Sequence, residues 1–310
     1  MSEFTSAFGI DAMAHFARNG RTFHFASRLM PGDERARVGD VYSYCRLTDD
    51  LVDEAGDASD EELYSRLDQW LALSRSSYDG DLTGIDIVDR AMTDMRARGV
   101  PFRYADDLIA GMRMDIRPPE FQDLIHLSTY TYRVAGVVGL WLSRLFGVTD
   151  PWALDRAATL GHAMQLTNIV RDVGDDWRRG RVYLPVSLLR SYGITRDELG
   201  AMYDGTRSIT PGFRAAMETL MTIADAHYLR AFEAMPILPP AFRRSVAVAA
   251  EVYRGIHDEV RRNGYDTIRL RAHTTLPRKV ALGSRGLGRL RAATRNTHSF
   301  LPPHAAHGLP

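Results

Sequence analysis

Two acidic segments, far apart in the chain, carry carboxylates four residues apart. They are Asp49-Asp50-Leu51-Val52-Asp53 and Asp172-Val173-Gly174-Asp175-Asp176. Because positions i and i+4 share one face of an α-helix, the carboxylates of each segment are expected to point the same way. Carboxylates gathered in one cleft repel one another, and a divalent cation relieves that repulsion. Mg²⁺ prefers oxygen ligands and is usually held by one or two carboxylates plus substrate phosphates. The two segments therefore predict a site for a metal–diphosphate complex.

Each acidic segment extends a longer polar stripe. In the first segment, Tyr42 and Arg46 precede Asp49 and Asp53 at helical spacing. Taken alone, such a stripe is more often the solvated face of a helix, because charged residues are mostly exposed. An arginine one turn from two carboxylates is likewise an ordinary surface ion pair.

The second segment favours a functional site. Gln165 and Asn168 precede its aspartates at helical spacing, and the apolar residues of the segment lie beside the stripe. The stripe is therefore expected at the edge of the core, where the floor of a cleft lies. Arg171 lies within the segment, and three more arginines follow at positions 178, 179 and 181. Such a group of guanidinium groups suits a diphosphate, whose charge they offset.

The composition narrows the class of protein. The 310 residues have a formal net charge of zero, which argues against nucleic-acid binding. A single cysteine, Cys45, rules out an internal disulfide and suits a reducing cytoplasm. No signal peptide is visible, and the most apolar stretch, residues 134–142, is too short to span a bilayer. The ten histidines show no tight metal-ligand spacing, and no Gly-rich loop follows a predicted strand.

The periodicity predicts an all-α protein, because strand signals are scarce and helix signals are abundant. Helices are expected to begin near Asp33, Asp60, Pro151, Pro211 and Pro240. One long apolar-periodic stretch covers about residues 121–146. Residues 1–284 are expected to form a single domain. Residues 285–310 are expected to form a basic, disordered tail that can touch anionic lipid on the inner face of the membrane.

Four segments of the chain resemble the phytoene synthase/squalene synthase family. They are LGHAMQLTNIVRDVGDD at 160–176 with RVYLP at 181–185, YCRLTDDLVD at 44–53, YTYRVAGVVG at 130–139, and YRGI at 253–256 with NGYD at 263–266. The resemblance spans roughly residues 15–285 in the family's order. The chain departs from the family pattern at Thr131 and in residues 20–23.

The resemblance implies an isoprenoid-synthase (terpenoid synthase) helical bundle around a central cavity. It implies that Asp49, Asp53, Asn168, Asp172 and Asp176 bind Mg²⁺, or Mn²⁺ in its place. The residues that would hold the diphosphate are Arg46, Arg171 and Arg181. The cavity is expected to be lined by Tyr42, Tyr130, Gln165, Tyr183 and Tyr253. Independently of the resemblance, the apolar residues Val134, Val137, Val138, Leu142 and Leu145 are expected either to enclose the tails or, as is commoner for any one such residue, to pack in the core.

The activity that the resemblance implies is the head-to-head condensation of two prenyl diphosphates in carotenoid biosynthesis. We expect two geranylgeranyl diphosphates to give phytoene through a cyclopropylcarbinyl diphosphate. The small residues Ala26 and Ser27, on a helix that would line the tunnel, favour the longer twenty-carbon tail. An alternative is a synthase of squalene, dehydrosqualene or presqualene diphosphate that acts on farnesyl diphosphate, with NADPH where squalene is the product. A third alternative is a non-catalytic helical assembly factor on the same fold.

Overall fold

The computed structural model describes residue 4, residues 9–54 and residues 56–295. Within these ranges it contains fifteen α-helices and no β-strand, so the predicted all-α class is confirmed. The helices are α1 Ala12–Asn19, α2 Arg21–Ser27, α3 Gly32–Asp53, α4 Asp60–Asp79, α5 Asp86–Ala97, α6 Arg103–Ile116, α7 Leu124–Thr131, α8 Val137–Leu145, α9 Pro151–Arg171, α10 Val173–Arg178, α11 Val186–Ser191, α12 Arg196–Tyr203, α13 Pro211–Phe232, α14 Pro240–Arg262 and α15 Leu276–Arg295.

The helix starts follow local capping chemistry. Ser59 caps α4 in a reciprocal capping box with Glu62. The side chain of Asp150 accepts a hydrogen bond from the first turn of α9, whose first residue is Pro151. The starts predicted at Asp60, Pro151, Pro211 and Pro240 are therefore confirmed. Helix α3 begins at Gly32, one residue earlier than expected, because Pro31 and not Asp33 occupies the N-cap position.

The apolar stretch at 121–146 is divided in the structure. Asp123 caps α7, a π-helical turn covers Tyr132–Gly136, and α8 follows. The π-helical turn lies directly against α9. A Cβ atom at Gly161 of α9 would be 2.3 Å from the carbonyl oxygen of Ala135, so this approach of two backbones requires a glycine.

Helix α9 occupies the centre of the molecule, where it packs against α8, α13 and α14. The buried side chains form two apolar clusters. One surrounds α9, α13 and α14 and includes Phe213 and Tyr228. The other joins α3 to α6 with α8 and includes Trp70 and Trp141. The two clusters meet at Val134, Leu140, Leu142 and Phe146, on the π-helical turn, on α8 and just after it. An apolar cavity lies beside this contact, since Val134 and Leu142 also line it.

The C-terminal tail differs from the prediction. Residues 285–295 belong to α15, which packs along α14. The helix forms because Leu282, Gly286 and Leu290 recur at a spacing of four residues and are buried against the core. The remainder of the predicted tail, residues 296–310, lies outside the described residues. None of the described helices is both long enough and apolar enough to cross a membrane.

Candidate active site

The first acidic stripe lies on the last turns of α3. Arg46 donates a hydrogen bond to Oδ2 of Asp49 at 2.8 Å and contacts Oδ1 of Asp50 at 2.5 Å. The side chain of Asp53, at the end of the helix, is only 5% exposed. The stripe is therefore partly buried, since Arg46 and Asp49 are about one-third exposed and Asp53 is almost fully enclosed.

The second acidic stripe crosses a break between two helices. Helix α9 ends at Arg171, Asp172 leaves the helical conformation, and α10 begins at Val173. The break coincides with a close approach of residues 267–268, since the backbone N–H of Gly174 donates to the carbonyl of Thr267 at 3.1 Å. The N–H of Asp176 still donates to the carbonyl of Asp172 at 2.8 Å, so the expected four-residue spacing of the carboxylates is preserved.

The loop after α10 brings the two acidic segments to one place. Nη1 of Arg181 donates to Oδ1 of Asp53 at 2.6 Å, and Arg179 bonds the other oxygen of the same carboxylate. Asp172 is paired with Arg171 beside it, at 2.7 Å, and with Arg271, at 2.8 Å. The site thus alternates carboxylates and guanidinium groups.

The pKa values of the site reflect burial first and crowding of negative charge second. Burial and then the neighbouring Asp53 raise the pKa of Asp49 to about 7. Burial and then Asp172 raise the pKa of Asp176 to about 8. Asp115 raises the pKa of both these carboxyls further, although they belong to different segments. The two segments therefore share one region of negative potential.

Sequence reasoning missed Asp115, which lies on α6. Its carboxylate accepts hydrogen bonds from the hydroxyls of Tyr183, at 2.6 Å, and Tyr130, at 3.1 Å, and burial raises its pKa to about 6. The signal available in the sequence was an aspartate at a buried position of an amphipathic helix, after Leu108 and Met112. Arg271, which pairs with Asp172, was also missed, because it lies outside the four segments that carry the family resemblance.

A long apolar cavity extends from this site into the bundle. Its lining includes Tyr42, Gln165, Asn168 and Tyr253 at the end near the carboxylates. The rest of the cavity wall is largely apolar. The residues that form it include Phe16, Phe23, Ala26, Met30, Val38, Val41, Val134, Val138, Leu142, Leu160, Met164, Leu238 and Phe242. An apolar chain with a charged head would therefore have its head at the carboxylates and its tail in the cavity.

Some predicted lining residues lie elsewhere. Tyr130 and Tyr183 stack on each other with ring centroids 4.9 Å apart, and both bond Asp115 instead of facing the cavity. Val137 and Leu145 are fully buried in the core, because they lie on the face of α8 that packs toward α3 to α6. Ser27 is buried with its hydroxyl bonded to the carbonyl of His24, so only Ala26 of the predicted pair lines the cavity.

The donor set suits a hard divalent cation. The amide oxygen of Asn168 is buried without a hydrogen-bond partner in the described part of the chain, while its amide nitrogen donates to Gln165 at 3.1 Å. No group of three His, Cys, Asp or Glu among the described residues is arranged closely enough to hold a metal ion by itself. An unpartnered amide oxygen beside carboxylates with raised pKa values is nevertheless a set of ligands that Mg²⁺ accepts.

Three comparisons with known proteins agree with this geometry. The family profile "Squalene/phytoene synthase" matches residues 16–278. A phytoene synthase from Cereibacter sphaeroides is 36% identical, with 92% of this chain and 80% of that protein covered. A phytoene synthase from Arthrospira platensis is 35% identical, with 85% of this chain and 87% of that protein covered.

Among solved structures, a dehydrosqualene synthase in complex with ligand superposes with a TM-score of 0.81 at 27% identity. The match covers 94% of this chain and 99% of that chain. A squalene synthase from Alicyclobacillus acidocaldarius shares the fold with a TM-score of 0.73 at 23% identity, covering 85% and 95% of the two chains. Taken with the two acidic segments and the cavity that joins them, these matches show that the chain belongs to the squalene/phytoene synthase family.

Proposed function

We propose that this enzyme joins two geranylgeranyl diphosphates head to head and produces phytoene, through a cyclopropylcarbinyl diphosphate intermediate, as a step of carotenoid biosynthesis. The proposal is supported by relatives named phytoene synthase at 36% and 35% identity over most of the chain. A second ionisation, a rearrangement and the loss of a proton would complete the reaction. Loss of a proton is preferred to reduction because the sequence carries no nicotinamide-binding motif.

The observation that carries the proposal is the position of the apolar cavity directly beside the paired acidic segments. Ionisation of an allylic diphosphate separates a leaving anion from a carbocation. A cavity lined by apolar side chains keeps water from the cation. The aromatic faces of Tyr42 and Tyr253 attract a cation, and the amide dipole of Gln165 can be oriented toward it. The site can therefore stabilise both the diphosphate anion, at the acidic segments, and the carbocation, in the cavity.

Mg²⁺, or Mn²⁺ in its place, would be held by the four aspartates and by the unpartnered amide oxygen of Asn168. The aspartates are Asp49, Asp53, Asp172 and Asp176. When bound, the metal offsets the negative charge of the diphosphate leaving group. The raised pKa values of Asp49 and Asp176 support this assignment, because burial and, after it, neighbouring carboxylates disfavour the charged forms that a divalent cation would stabilise.

The arginines would receive the diphosphate. Arg46, Arg171 and Arg181 each lie beside an aspartate of the site. Their bidentate guanidinium groups suit phosphate oxygens. Tyr130 and Tyr183 would act as positioning residues, because their hydroxyls donate to Asp115 between the two acidic segments.

A second candidate reaction uses farnesyl diphosphate and ends at squalene, dehydrosqualene or presqualene diphosphate, with NADPH only for squalene. It is favoured by the superposition on a dehydrosqualene synthase. The two candidates differ in tail length and in the requirement for a reductant.

The deciding experiment incubates the purified enzyme with farnesyl or geranylgeranyl diphosphate, with and without NADPH, and identifies the products by mass spectrometry. Phytoene from the twenty-carbon substrate in the absence of NADPH is the expected result. A fifteen-carbon preference or a strict NADPH requirement would support the second candidate. Chelation with EDTA should abolish turnover and addition of Mg²⁺ should restore it, whereas turnover that survives EDTA contradicts the metal assignment.

Peripheral contact with the inner, cytoplasmic face of the membrane completes the proposal, since a long hydrocarbon product has to leave water. Arg243 and Arg244 of α14, with Arg291 and Arg295 of α15, line a groove whose floor contains Leu287 and Leu290. Arginines beside apolar side chains suit an anionic lipid surface. Co-sedimentation with anionic but not neutral vesicles, weakened by salt, would support the contact, and equal binding to both would contradict it.

A further inference from the structure

The cavity contains one charged side chain. Among the described residues that line it, Arg156 alone carries a formal charge, and the remaining members are apolar, aromatic or neutral polar. An arginine facing an apolar cavity is unfavourable unless its guanidinium group is paired. The binding of a diphosphate at the carboxylates does not explain why an arginine lines this apolar cavity.

Arg156 lies at the far end of the cavity from the carboxylates. One face of α9 lines the cavity along its whole length, from Ala153 and Arg156 to Gln165 and Asn168. Asn168 lies at the mouth, next to the acidic segment, whereas Ala153 is the only lining residue of α9 beyond Arg156. The end of α13 contributes to the same far end, because Ala231 lines the cavity there.

The guanidinium group of Arg156 is tied outside the cavity. Nε donates to Oε2 of Glu233 at 2.9 Å, and Nη1 bonds the carboxylate of Asp155. Cζ lies 5.1 Å from the ring centroid of Trp152. The side chain is only 14% exposed, although Asp155 is 55% exposed. Because the charged head is directed to these surface partners, the apolar stem is left to close the cavity.

The distance along α9 matches one tail length. Twelve residues separate Asn168 from Arg156, which corresponds to about 18 Å at a helical rise of ~1.5 Å per residue. A carbon–carbon bond of ~1.5 Å advances an extended zigzag chain by about 1.25 Å, so a fully extended geranylgeranyl chain spans about 19 Å and a farnesyl chain about 14 Å. A geranylfarnesyl chain, with one more isoprene unit, spans about 24 Å on the same basis.

We propose that Arg156 is a specificity-determining residue that ends the tail-binding cavity, so that a twenty-carbon tail fits and a twenty-five-carbon tail does not. Its stem forms the end wall together with Ala153, one turn further along α9, and the ion pair with Glu233 holds that wall in place between α9 and the end of α13. The inference rests on the proposed prenyl diphosphate function and adds to it the residue that sets the upper limit of tail length.

The test compares Arg156→Ala with Arg230→Ala. Arg230 is the matched control because it also contacts Asp155, at 3.3 Å, but does not line the cavity. The measured quantity is the ratio of kcat/KM for geranylfarnesyl diphosphate to that for geranylgeranyl diphosphate. Arg156→Ala is expected to raise this ratio at least about tenfold, because pocket contacts to a few methylene groups discriminate by that order. Arg230→Ala should leave the ratio within about twofold of the wild type.

An unchanged ratio in an Arg156→Ala enzyme that melts at the same temperature as Arg230→Ala would overturn the inference, as would an equal rise in both variants. If Arg156→Ala does not fold, Arg156→Met replaces it. Methionine keeps a long stem but loses the tie to Glu233, and a rise of about threefold is expected. An unchanged ratio in Arg156→Met would overturn the inference in that case.

Binding measurements separate this inference from the proposed function. Calorimetric titration with unreactive thiolodiphosphate analogues of the three tails reports the depth of the cavity without turnover. Wild-type enzyme that binds the twenty-carbon analogue but not the twenty-five-carbon analogue, together with Arg156→Ala enzyme that binds both, supports the inference even if the product is not phytoene. Equal binding of both analogues by the wild type overturns it even if phytoene is formed.

Discussion

Arg181 and Asp53 are joined by a hydrogen bond of 2.6 Å although 128 residues of chain separate them. This contact connects the loop after the second acidic segment to the end of the first. Arg181 is 11% exposed and Asp53 is 5% exposed, so the pair is not a weak surface contact. A diphosphate that enters the site would meet this guanidinium group already held in position.

Replacement of Arg181 by Gln should therefore lower kcat/KM by at least about 100-fold, the size of effect seen when one preorganised donor to a developing anion is removed. Arg178→Gln is the control, because Arg178 pairs with Asp175 on the surface and is 63% exposed. It should stay within about threefold of the wild type. Steady-state kinetics at saturating Mg²⁺ measures both, and equal losses in the two variants would count against a diphosphate role for Arg181.

Asp176 and Asp175 form a natural pair of test and control. Asp176 has its pKa raised to about 8 by burial and by Asp172, whereas Asp175 is 41% exposed and is bonded by Arg178. Asp176→Asn should raise the Mg²⁺ concentration for half-maximal activity by about tenfold or more, because one carboxylate ligand is lost. Asp175→Asn should leave this concentration within about twofold. An Mg²⁺ titration of activity that is identical in both variants would refute the assignment.

Asp115 is expected to position the tyrosines that donate to it. Asp115→Asn should lower kcat about 10-fold or more, because a hydrogen bond to a charged group contributes about 1.5–3 kcal/mol. Tyr183→Phe should cause a similar loss, and the double variant should lose little more than either single variant. Asp107→Asn, on the same helix and bonded by Tyr132, is the control that should remain active. Fully additive losses would show that Asp115 and Tyr183 act independently.

His162 predicts an acid sensitivity of folding. Burial and then His227 lower the pKa of this imidazole to about 4, and its Nδ1 lies 2.6 Å from Oγ1 of Thr131. Because the unfolded imidazole titrates near 6.5, the unfolded state binds the proton first, and stability is lost as the pH falls from about 6.5 toward 4.

Urea unfolding at pH 7.5 and pH 5 measures this effect. The wild type should lose about 2 kcal/mol more than His162→Gln between the two conditions, since only the unfolded imidazole protonates between pH 6.5 and pH 5 and one pKa unit corresponds to about 1.4 kcal/mol. The quantity compared is the change in unfolding free energy between the two pH values, not the free energy at either one. The His162→Gln variant loses the contact with Thr131 at both pH 7.5 and pH 5, so that loss cancels in the difference. His273→Gln, at an exposed position, is the control. An identical pH dependence in wild type and His162→Gln would contradict the prediction.

The sequence predicted the features that depend on spacing and local chemistry. Helix starts at Asp60, Pro151 and Pro211 followed from capping residues and prolines. The proximity of Asp53 to the second acidic segment was expected, because two carboxylate stripes with adjacent arginines need a common ligand. The actual partners of Asp53, however, are Arg179 and Arg181, and these pairings depend on the path of a loop.

Features that depend on tertiary contact were not predictable from one chain. The helix break at Asp172 depends on the segment near Thr267 pressing against Gly174. The role of Asp115 depends on two tyrosines from other parts of the chain. The composition near the C-terminus suggested disorder, but buried Glu251 on α14 accepts hydrogen bonds from Arg285 and Arg289 and so favours the helix over residues 285–295.

A single uninterrupted helix, α9, lines the cavity from Arg156 to Asn168. The helix therefore fixes both the distance between these two residues and the directions in which their side chains point. Inserting or deleting one residue between them would turn one end by about 100° against the other. Either the amide at the mouth or the arginine at the opposite end would then face the wrong way. A lineage that changes the length of its product has therefore to exchange large and small side chains, because an insertion into this helix would misalign both ends at once.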